Sequence, residues 1–241
     1  MLSLLICAAL SVATSLALQY GAGVDYRVAP LAGLAVFAVV YFLLLRFVMK
    51  RVAEIMESAQ RDIQAGHTEK AISTMKQGFK YAPWQFFVKG QINSQIGTIY
   101  YLKKDFSAAF DYLQKGFVRH WAGMAMLAVI YMRRNQPQKM VETFDRAISA
   151  GKKEDLLYGV YAFCLDKIGK RDKAIEILEK GLKKATRTEI LQANLEALQA
   201  GKKMKMMAYG DVWFQFHLEK PGAVIKRQTR AIQGRRKIVR R

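Results

Sequence analysis

The chain has 241 residues and a formal net charge of +20, from 39 Lys and Arg against 19 Asp and Glu. Hydrophobic residues nevertheless make up 52% of it, so charged and apolar residues are segregated along the sequence, and the length allows one ordinary domain with an appendage. The two cysteines, Cys7 and Cys164, lie in separate predicted helices, which excludes a disulfide-stapled fold and favours a reducing compartment.

The N-terminal part of the chain contains two uncharged stretches. They run from Met1 to Val24 and from Val28 to Leu45, and the short connection between them contains Asp25 and Arg27. Each stretch is long enough to cross about 30 Å of hydrocarbon as a helix. Because backbone polar groups in lipid must bond internally, two apolar stretches this close predict a transmembrane helical hairpin over residues 1–51.

A cleaved secretory signal is the alternative for the first stretch. The stretch has no positively charged start, and residues 15–19 are poorly suited to cleavage, so these criteria favour the uncleaved hairpin. Orientation follows from the flanking charges. Arg46, Lys50 and Arg51 follow the second stretch, whereas the connection offers only Arg27, and this bias predicts that the rest of the chain is cytoplasmic.

Four segments farther along the chain share a period of about 34 residues. They begin at Ala71, Ala109, Met140 and Ala174, so successive starts are 38, 31 and 34 residues apart. In each segment a large apolar residue follows the start by four positions and a small one follows three positions later, spacings that stack on one helical face. Such a period indicates stacked helix pairs, of which these segments are the second helices.

The first helix of each later pair has a matching pattern, in which a small residue precedes a large one by three positions. The combined pattern resembles the tetratricopeptide repeat family over about Val52–Lys184. Only Pro83 keeps the family's terminal proline, and the first pair has Ser58, Ala59 and Asp62 where the apolar step is expected. We expect the pattern's small and aromatic residues to pack between helices: Ala71, Gly78, Gly97, Tyr100, Ala109, Gly116, Ala128, Tyr131, Ala147, Ala162, Ala174 and Gly181.

Together with the predicted hairpin, the resemblance implies an all-α fold: a transmembrane helical hairpin followed by a tetratricopeptide-like α-solenoid of helix pairs. Residues 52–200 then hold about four pairs and a capping helix over Thr188–Ala200 that stops at Gly201. Such arrays dock other proteins on the polar residues of their first helices. The predicted function is therefore a membrane-anchored adaptor or assembly factor that binds protein partners in a cytoplasmic repeat groove.

The last 41 residues, 201–241, form a third region with 12 basic and 2 acidic side chains, half of the net charge. Its Met-rich and aromatic beginning is expected to pack on the last helices or at the bilayer surface. Anionic lipid, the phosphates of RNA or DNA, and an acidic protein are three alternative targets for its end. The nucleic-acid alternative predicts a membrane tether for RNA or ribosomes. The basic residues concerned are Lys226, Arg227, Arg230, Arg235, Arg236, Lys237, Arg240 and Arg241.

No catalytic, cofactor or metal site is predicted. His67, His120 and His217 lie far apart at predicted turns or in the tail, without Cys, Asp or Glu at ligand spacing. The sequence also has no phosphate-binding Gly-rich loop, no nucleophile elbow and no zinc-binding helix motif. We therefore predict that the protein is not an enzyme and carries no cofactor.

Overall fold

A computed structural model describes residues 2–219. Within that range all regular elements are helical and no strand occurs, which confirms the all-α prediction there. Short π- or 3-10-helical segments cover Ala17–Gly21, Gly78–Tyr81 and Met206–Tyr209. The α-helices of this range are α1 (Leu2–Leu16), α2 (Ala29–Gln64), α3 (Thr68–Gln77), α4 (Phe86–Leu102), α5 (Phe106–Leu113), α6 (Trp121–Arg133), α7 (Pro137–Ala150), α8 (Asp155–Lys167), α9 (Arg171–Leu182), α10 (Glu189–Gln199) and α11 (Asp211–Phe214).

The chain divides into two compact units. The first contains the residues up to Ile99 together with Lys115–Phe117, and the second contains Tyr100–Gln114 and the chain from Val118 onward. The predicted division after residue 51 lies inside α2. The two units are defined by contacts between residues and do not test which residues lie in a membrane. The three predicted domains therefore stay a prediction.

In the first unit, α1 and α2 form an antiparallel hairpin with a close contact. The Ser11 hydroxyl donates a hydrogen bond to the carbonyl oxygen of Gly33 at 2.8 Å, and a Cβ on Gly33 would overlap the Ser15 hydroxyl. Cys7 and Ala29 are fully buried in this hairpin. Small residues and a hydroxyl bond at the contact are typical of helices that pack in lipid.

Helix α2 runs for 36 residues without a break, so it carries both the second apolar stretch and the first helix of the first predicted pair. Ala59 and Asp62, which interrupt the apolar pattern, are both buried. The Asp62 carboxylate lies 3.0 Å from Lys70 Nζ and accepts a hydrogen bond from the Thr74 hydroxyl at 3.4 Å. The bond from Lys70 lowers the pKa of Asp62. The first pair therefore forms with an ion pair at a position where the pattern calls for an apolar residue.

The turns between paired helices repeat one backbone geometry. The middle residue has a positive φ in each case, 79° at Gly66, 66° at Lys104, 55° at Asn135 and 81° at Gly169. The next residue donates its N–H to the carbonyl five positions earlier, at 2.8 to 3.0 Å, as helix C-terminal caps do. These turns are spaced by 38, 31 and 34 residues. The helices therefore follow the predicted period.

The second unit is a stack of antiparallel helix pairs. Helix α6 packs on α7, α8 packs on α9, and α10 packs on both α8 and α9. Phe144 of α7 stacks on Tyr161 of α8 with ring centres 4.6 Å apart. Helix α10 buries Leu191, Leu195 and Leu198 on one side. It lies where the capping helix was predicted, and the chain leaves it at Gly201 with a φ of 71°.

We expect Gly181→Val to lower the free energy of unfolding by about 1–3 kcal/mol, because the larger side chain overfills a close helix contact. A Cβ at Gly181 already comes within 2.9 Å of Tyr158 Cγ and 3.0 Å of Leu191 Cδ1. Urea unfolding of the full chain in detergent, followed by tryptophan fluorescence, measures the change. Glu179→Val, at an exposed position of α9, is the control and should change stability by only a few tenths of a kcal/mol. Equal losses in both variants would contradict this packing.

Candidate protein-interaction face

The predicted repeat-packing residues lie mostly inside the two units. Tyr100, Gly116 and Tyr131 are half-buried. Helix α5 ends at Leu113, so Gly116 lies in the turn after the helix rather than on its face. The other nine are buried: Ala71, Gly78, Gly97, Ala109, Ala128, Ala147, Ala162, Ala174 and Gly181.

The first helices of the second unit share a face that the chain itself covers. We call residues Met204–Glu219 the covering segment. Its described contacts fall mainly on first helices rather than on second ones. A partner was expected to meet these first helices directly, and the structure shows the chain's own segment there instead. The residues of this first-helix face are Tyr101, Arg133, Gly159, Phe163 and Lys167, and Asn194 of the capping helix α10 also contacts the covering segment.

Apolar side chains of the covering segment are inserted into the core of the second unit. Met206, Trp213 and Phe216 are at most 2% exposed. The Trp213 ring meets the Phe163 ring edge-on, with centres 4.8 Å apart. The Met-rich and aromatic residues were expected to pack either on the last helices or at the bilayer surface, and the structure shows them packed on helices. Burial of this size accounts for most of the segment's attachment, at roughly 1.5–3 kcal/mol for each large side chain.

Gly159 makes room for a ring of the covering segment. A Cβ at this position of α8 would lie 2.9 Å from the Tyr209 hydroxyl oxygen. That hydroxyl donates to the Asp155 carbonyl at 3.4 Å, and burial raises the pKa of Tyr209, which keeps the donor protonated. Gly159 is therefore needed for this contact, because any larger residue would push the Tyr209 ring away.

Polar side chains of the first-helix face donate hydrogen bonds to the main chain of the covering segment. Three successive carbonyls, those of residues 216–218, each accept a hydrogen bond. The donors are the Tyr101 hydroxyl at 2.7 Å, the Arg133 guanidinium at 2.6 Å and Lys167 Nζ at 3.4 Å. They come from α4, α6 and α8, one from each of three consecutive first helices. Recognition here is directed at the backbone, so it is independent of the side chains at these positions.

The environment of these donors keeps them in hydrogen-bonding form. Burial raises the pKa of Tyr101, so its hydroxyl keeps its proton. The Arg133 guanidinium lies 4.3 Å from the centre of the Phe106 ring, and Lys167 Nζ lies 5.8 Å from that of Phe163. Charged donors form stronger hydrogen bonds than neutral ones, and the rings hold the cations in place.

Asn194 of α10 binds the beginning of the covering segment. Its Oδ1 accepts the Lys205 N–H at 2.6 Å, and its Nδ2 lies 3.8 Å from the Met206 sulfur. Asn194 is fully buried, and without the segment these polar atoms would lack partners. The sequence interpretation missed this residue. The available signal was a polar side chain on the same helical face as Leu191 and Leu198.

His217 is the last ring of the covering segment. It stacks on Tyr101 with ring centres 5.7 Å apart, has a φ of 51°, and burial lowers the pKa of its imidazole. A cavity of about 330 Å³ lies beside it. The cavity is lined by Met132, Arg133, Lys167, Ile168, His217 and Leu218.

The other titratable candidates have structural roles. His120 begins α6, where its Nδ1 accepts the Gly123 N–H at 3.0 Å, and burial lowers the pKa of this imidazole. Burial raises the pKa of the Cys164 thiol to about 12, which leaves it unreactive. Among residues 2–219 no group of His, Cys, Asp and Glu side chains is arranged to hold a metal ion.

The predicted basic-tail residues, from Lys226 to Arg241, lie outside the described residues. The predictions that this tail binds anionic lipid, nucleic acid or an acidic protein therefore stay predictions.

Comparisons with known proteins give little beyond a general likeness. No family model matches the chain, and no curated protein matches it. The solved structure titled "Crystal structure of MamA" is 16% identical, with a TM-score of 0.45 over 66% of this chain and 94% of that one. "Crystal structure of MamA protein" is 14% identical, with a TM-score of 0.44 over 73% and 91% of the two chains. Values this low assign neither family nor function, and the helix-pair fold described above rests on its own geometry.

We expect Tyr101→Phe to loosen the covering segment while leaving the helices intact. The variant leaves the buried Phe216 carbonyl without its donor, a loss of about 1–3 kcal/mol. Amide hydrogen exchange over residues 208–218 should become at least about 5 times faster, as a loss of about 1 kcal/mol or more requires. Tyr131→Phe is the control, because the contacts described for Tyr131 are made by its ring, with Phe110 and Lys139, and a phenylalanine keeps that ring. Unchanged exchange in Tyr101→Phe would contradict a stabilising role for the hydrogen bond from Tyr101 to the main chain of the covering segment.

Proposed function

We propose that this protein is a membrane-anchored scaffold whose first-helix face binds a segment of a partner protein. The supporting observation is the row of three donors, from Tyr101, Arg133 and Lys167, that hold three successive carbonyls. Side chains that bind a main chain at regular intervals, with pockets for apolar residues between them, form a peptide-recognition surface. The chain's own covering segment occupies this surface in the structure.

The covering segment also indicates what kind of partner fits. Its buried anchors are aromatic or Met side chains, with Trp213 and Phe216 the largest. The main-chain carbonyls of His217 and Leu218 accept hydrogen bonds from the cations Arg133 and Lys167. A partner segment would therefore form a short helical turn, as α11 does, with two aromatic anchors about three residues apart. The main chain that follows the turn would present its carbonyl oxygens to Arg133 and Lys167.

A partner has to compete with the covering segment. A tethered segment has an effective concentration on the order of millimolar. A free peptide of the same intrinsic affinity at 10 µM would therefore occupy only about 1% of the faces. Binding then requires a partner of higher affinity, a high local concentration at the membrane, or release of the covering segment. The covering segment therefore occupies the first-helix face unless a partner displaces it.

The membrane anchor is supported by how the two apolar helices expose their side chains. Leu2–Gly21 and Ala29–Gln64 are long and apolar enough to cross a bilayer, and only 11% of each apolar window is buried. The core helix of a soluble protein passes the same composition test but buries most of its window. Outward-facing side chains include Leu5, Leu31, Leu34, Val39 and Phe42, each at least 59% exposed. Apolar surface of this extent calls for lipid around it.

The cytoplasmic location of the chain after residue 51 is part of the same proposal. Arg46, Lys50 and Arg51 are exposed just beyond the apolar part of α2. Short-loop cations of this kind mark the cytoplasmic side of a membrane protein.

Cutting the chain before the covering segment tests the peptide-binding proposal. A protease site inserted between Gly201 and Lys202, which are exposed, allows the full chain in lipid nanodiscs to be cut there. A fluorescent peptide with the sequence of residues 204–219 is then added. We expect the cut protein to take up the peptide and the uncut protein to take up on the order of 1% as much, because tethering favours the attached segment.

Two controls separate specific uptake from adhesion. A peptide with Trp213→Ala and Phe216→Ala should not bind, because it lacks both anchors. The Arg133→Gln protein should bind about tenfold or more weakly, since a hydrogen bond to a charged group contributes about 1.5–3 kcal/mol. If the cut protein unfolds, or keeps its own segment for days without exchange, the segment is an integral part of the fold and the proposal fails.

Membrane anchoring has a separate test. The protein should stay in the membrane pellet after alkaline carbonate extraction, whereas Val39→Arg should release a large part of it, because a cation at mid-membrane costs about 2.5–3.5 kcal/mol. Tyr26→Arg, in the exposed connection between α1 and α2, is the control and should change nothing. The intact mass of the extracted protein shows whether α1 is present. Extraction of the unaltered protein by carbonate would rule out the anchor.

A further inference from the structure

A loop of the first unit is attached to the beginning of α1. The Leu2 N–H donates to the carbonyl oxygen of Pro83 at 2.8 Å, and the Ser3 hydroxyl donates to that of Trp84 at 2.6 Å. Ser3 is fully buried. The first contact satisfies one of the amide groups that every helix start leaves unpaired. The loop is therefore held at one end of the hairpin.

The helix register gives the height of this loop along the hairpin. Gly33 of α2 lies against Ser11 and Ser15 of α1. From there back to Ser3 the rise along α1 is about 12–18 Å at 1.5 Å per residue. The same rise along the antiparallel α2 leads from Gly33 to residues 41–45. The loop thus lies level with the end of the apolar stretch, about one turn before Arg46.

The composition of the loop suits this height. Phe86 is 65% exposed and meets the Phe87 ring edge-on at 5.2 Å. Trp84 and Tyr81 are half-buried, and Lys80 Nζ lies 5.2 Å from the centre of the Tyr81 ring. Aromatic side chains with nearby cations are enriched where a bilayer's hydrocarbon meets its headgroups. An exposed Phe in water has no comparable stabilisation.

We infer that residues 81–87, from the end of the 3-10 helix Gly78–Tyr81 to the first two residues of α4, contact the surface of the bilayer. We call these residues the interface loop. Phe86 enters the boundary between headgroups and acyl chains, and Trp84 lies at headgroup level. This inference rests on the proposed membrane anchor and adds a second attachment to it. The occupant of this exposed aromatic surface is lipid, because the surface continues the apolar exterior of the hairpin at the level where α2 changes from apolar residues to cations.

Spin labels report the depth of each position. Both native cysteines, Cys7 and Cys164, are fully buried, so a single exposed cysteine can be labelled selectively in the full chain. We compare Phe86→Cys with Val39→Cys, which is 59% exposed in the apolar part of α2, and with Gln64→Cys at its exposed far end. Relaxation by oxygen and by a water-soluble nickel complex measures depth in vesicles of phosphatidylcholine and phosphatidylglycerol.

We expect the label at residue 86 to lie about 5–10 Å below the headgroup surface, as the apolar residues of interfacial segments do. The label at residue 39 should lie deep in hydrocarbon and the label at residue 64 in water. If residue 86 is as accessible to nickel as residue 64 while residue 39 stays deep, the interface loop is refuted and the anchor stands. If residue 39 is in water as well, both proposals are overturned.

A label-free measurement avoids altering Phe86. Lipids brominated near the headgroup should quench part of the tryptophan fluorescence of the unaltered protein, and Trp84→Phe should remove that quenched part. Quenching that is absent, or that survives Trp84→Phe, counts against the interface loop.

Discussion

The second unit depends on the burial of its first-helix face by residues that follow the last repeated helix. Trp213 and Phe216 complete a core to which the helix pairs contribute the rest. Tyr101 and Asn194 are buried polar residues whose described hydrogen bonds go to the covering segment. A stack of amphipathic helix pairs must end with its apolar surface covered. In this protein the covering segment buries apolar surface along the side of the stack, and α10 buries it at the end. The stability of the second unit therefore depends on whether the first-helix face is occupied.

The sequence predicted those features that recur with a period. Small residues such as Ala109 and Ala174 mark close helix contacts, because only a small side chain lets two helices approach. The four matching turns have the same spacing, and Gly66, Asn135 and Gly169 are residues that tolerate positive φ. Lys104 adopts the same conformation without that preference, so its turn could not be recognised from the residue alone. The ion pair of Asp62 was missed for a related reason, since its partner, Lys70, lies on another helix.

The covering segment could be predicted only in part, and the reason is physical. Its aromatic residues indicated that it packs somewhere, but the location is set by carbonyl groups that every residue possesses. Main-chain recognition leaves no pattern in the sequence of the segment, and its donors, Arg133 and Lys167, look like ordinary surface cations. The location of the segment therefore became visible only in the folded second unit, where α6 packs on α8.

The unbroken course of α2 has a mechanical consequence. From Arg46 to Gln64 the helix extends about 27 Å beyond its apolar part. Transmembrane helices adjust their tilt to bilayer thickness, and a helix without a hinge transmits that tilt. A change of about 10° at the membrane would displace the far end by roughly 5 Å, on the order of one helix turn. In the proposed anchored protein, the position of the first helix pair would therefore change with the thickness of the bilayer.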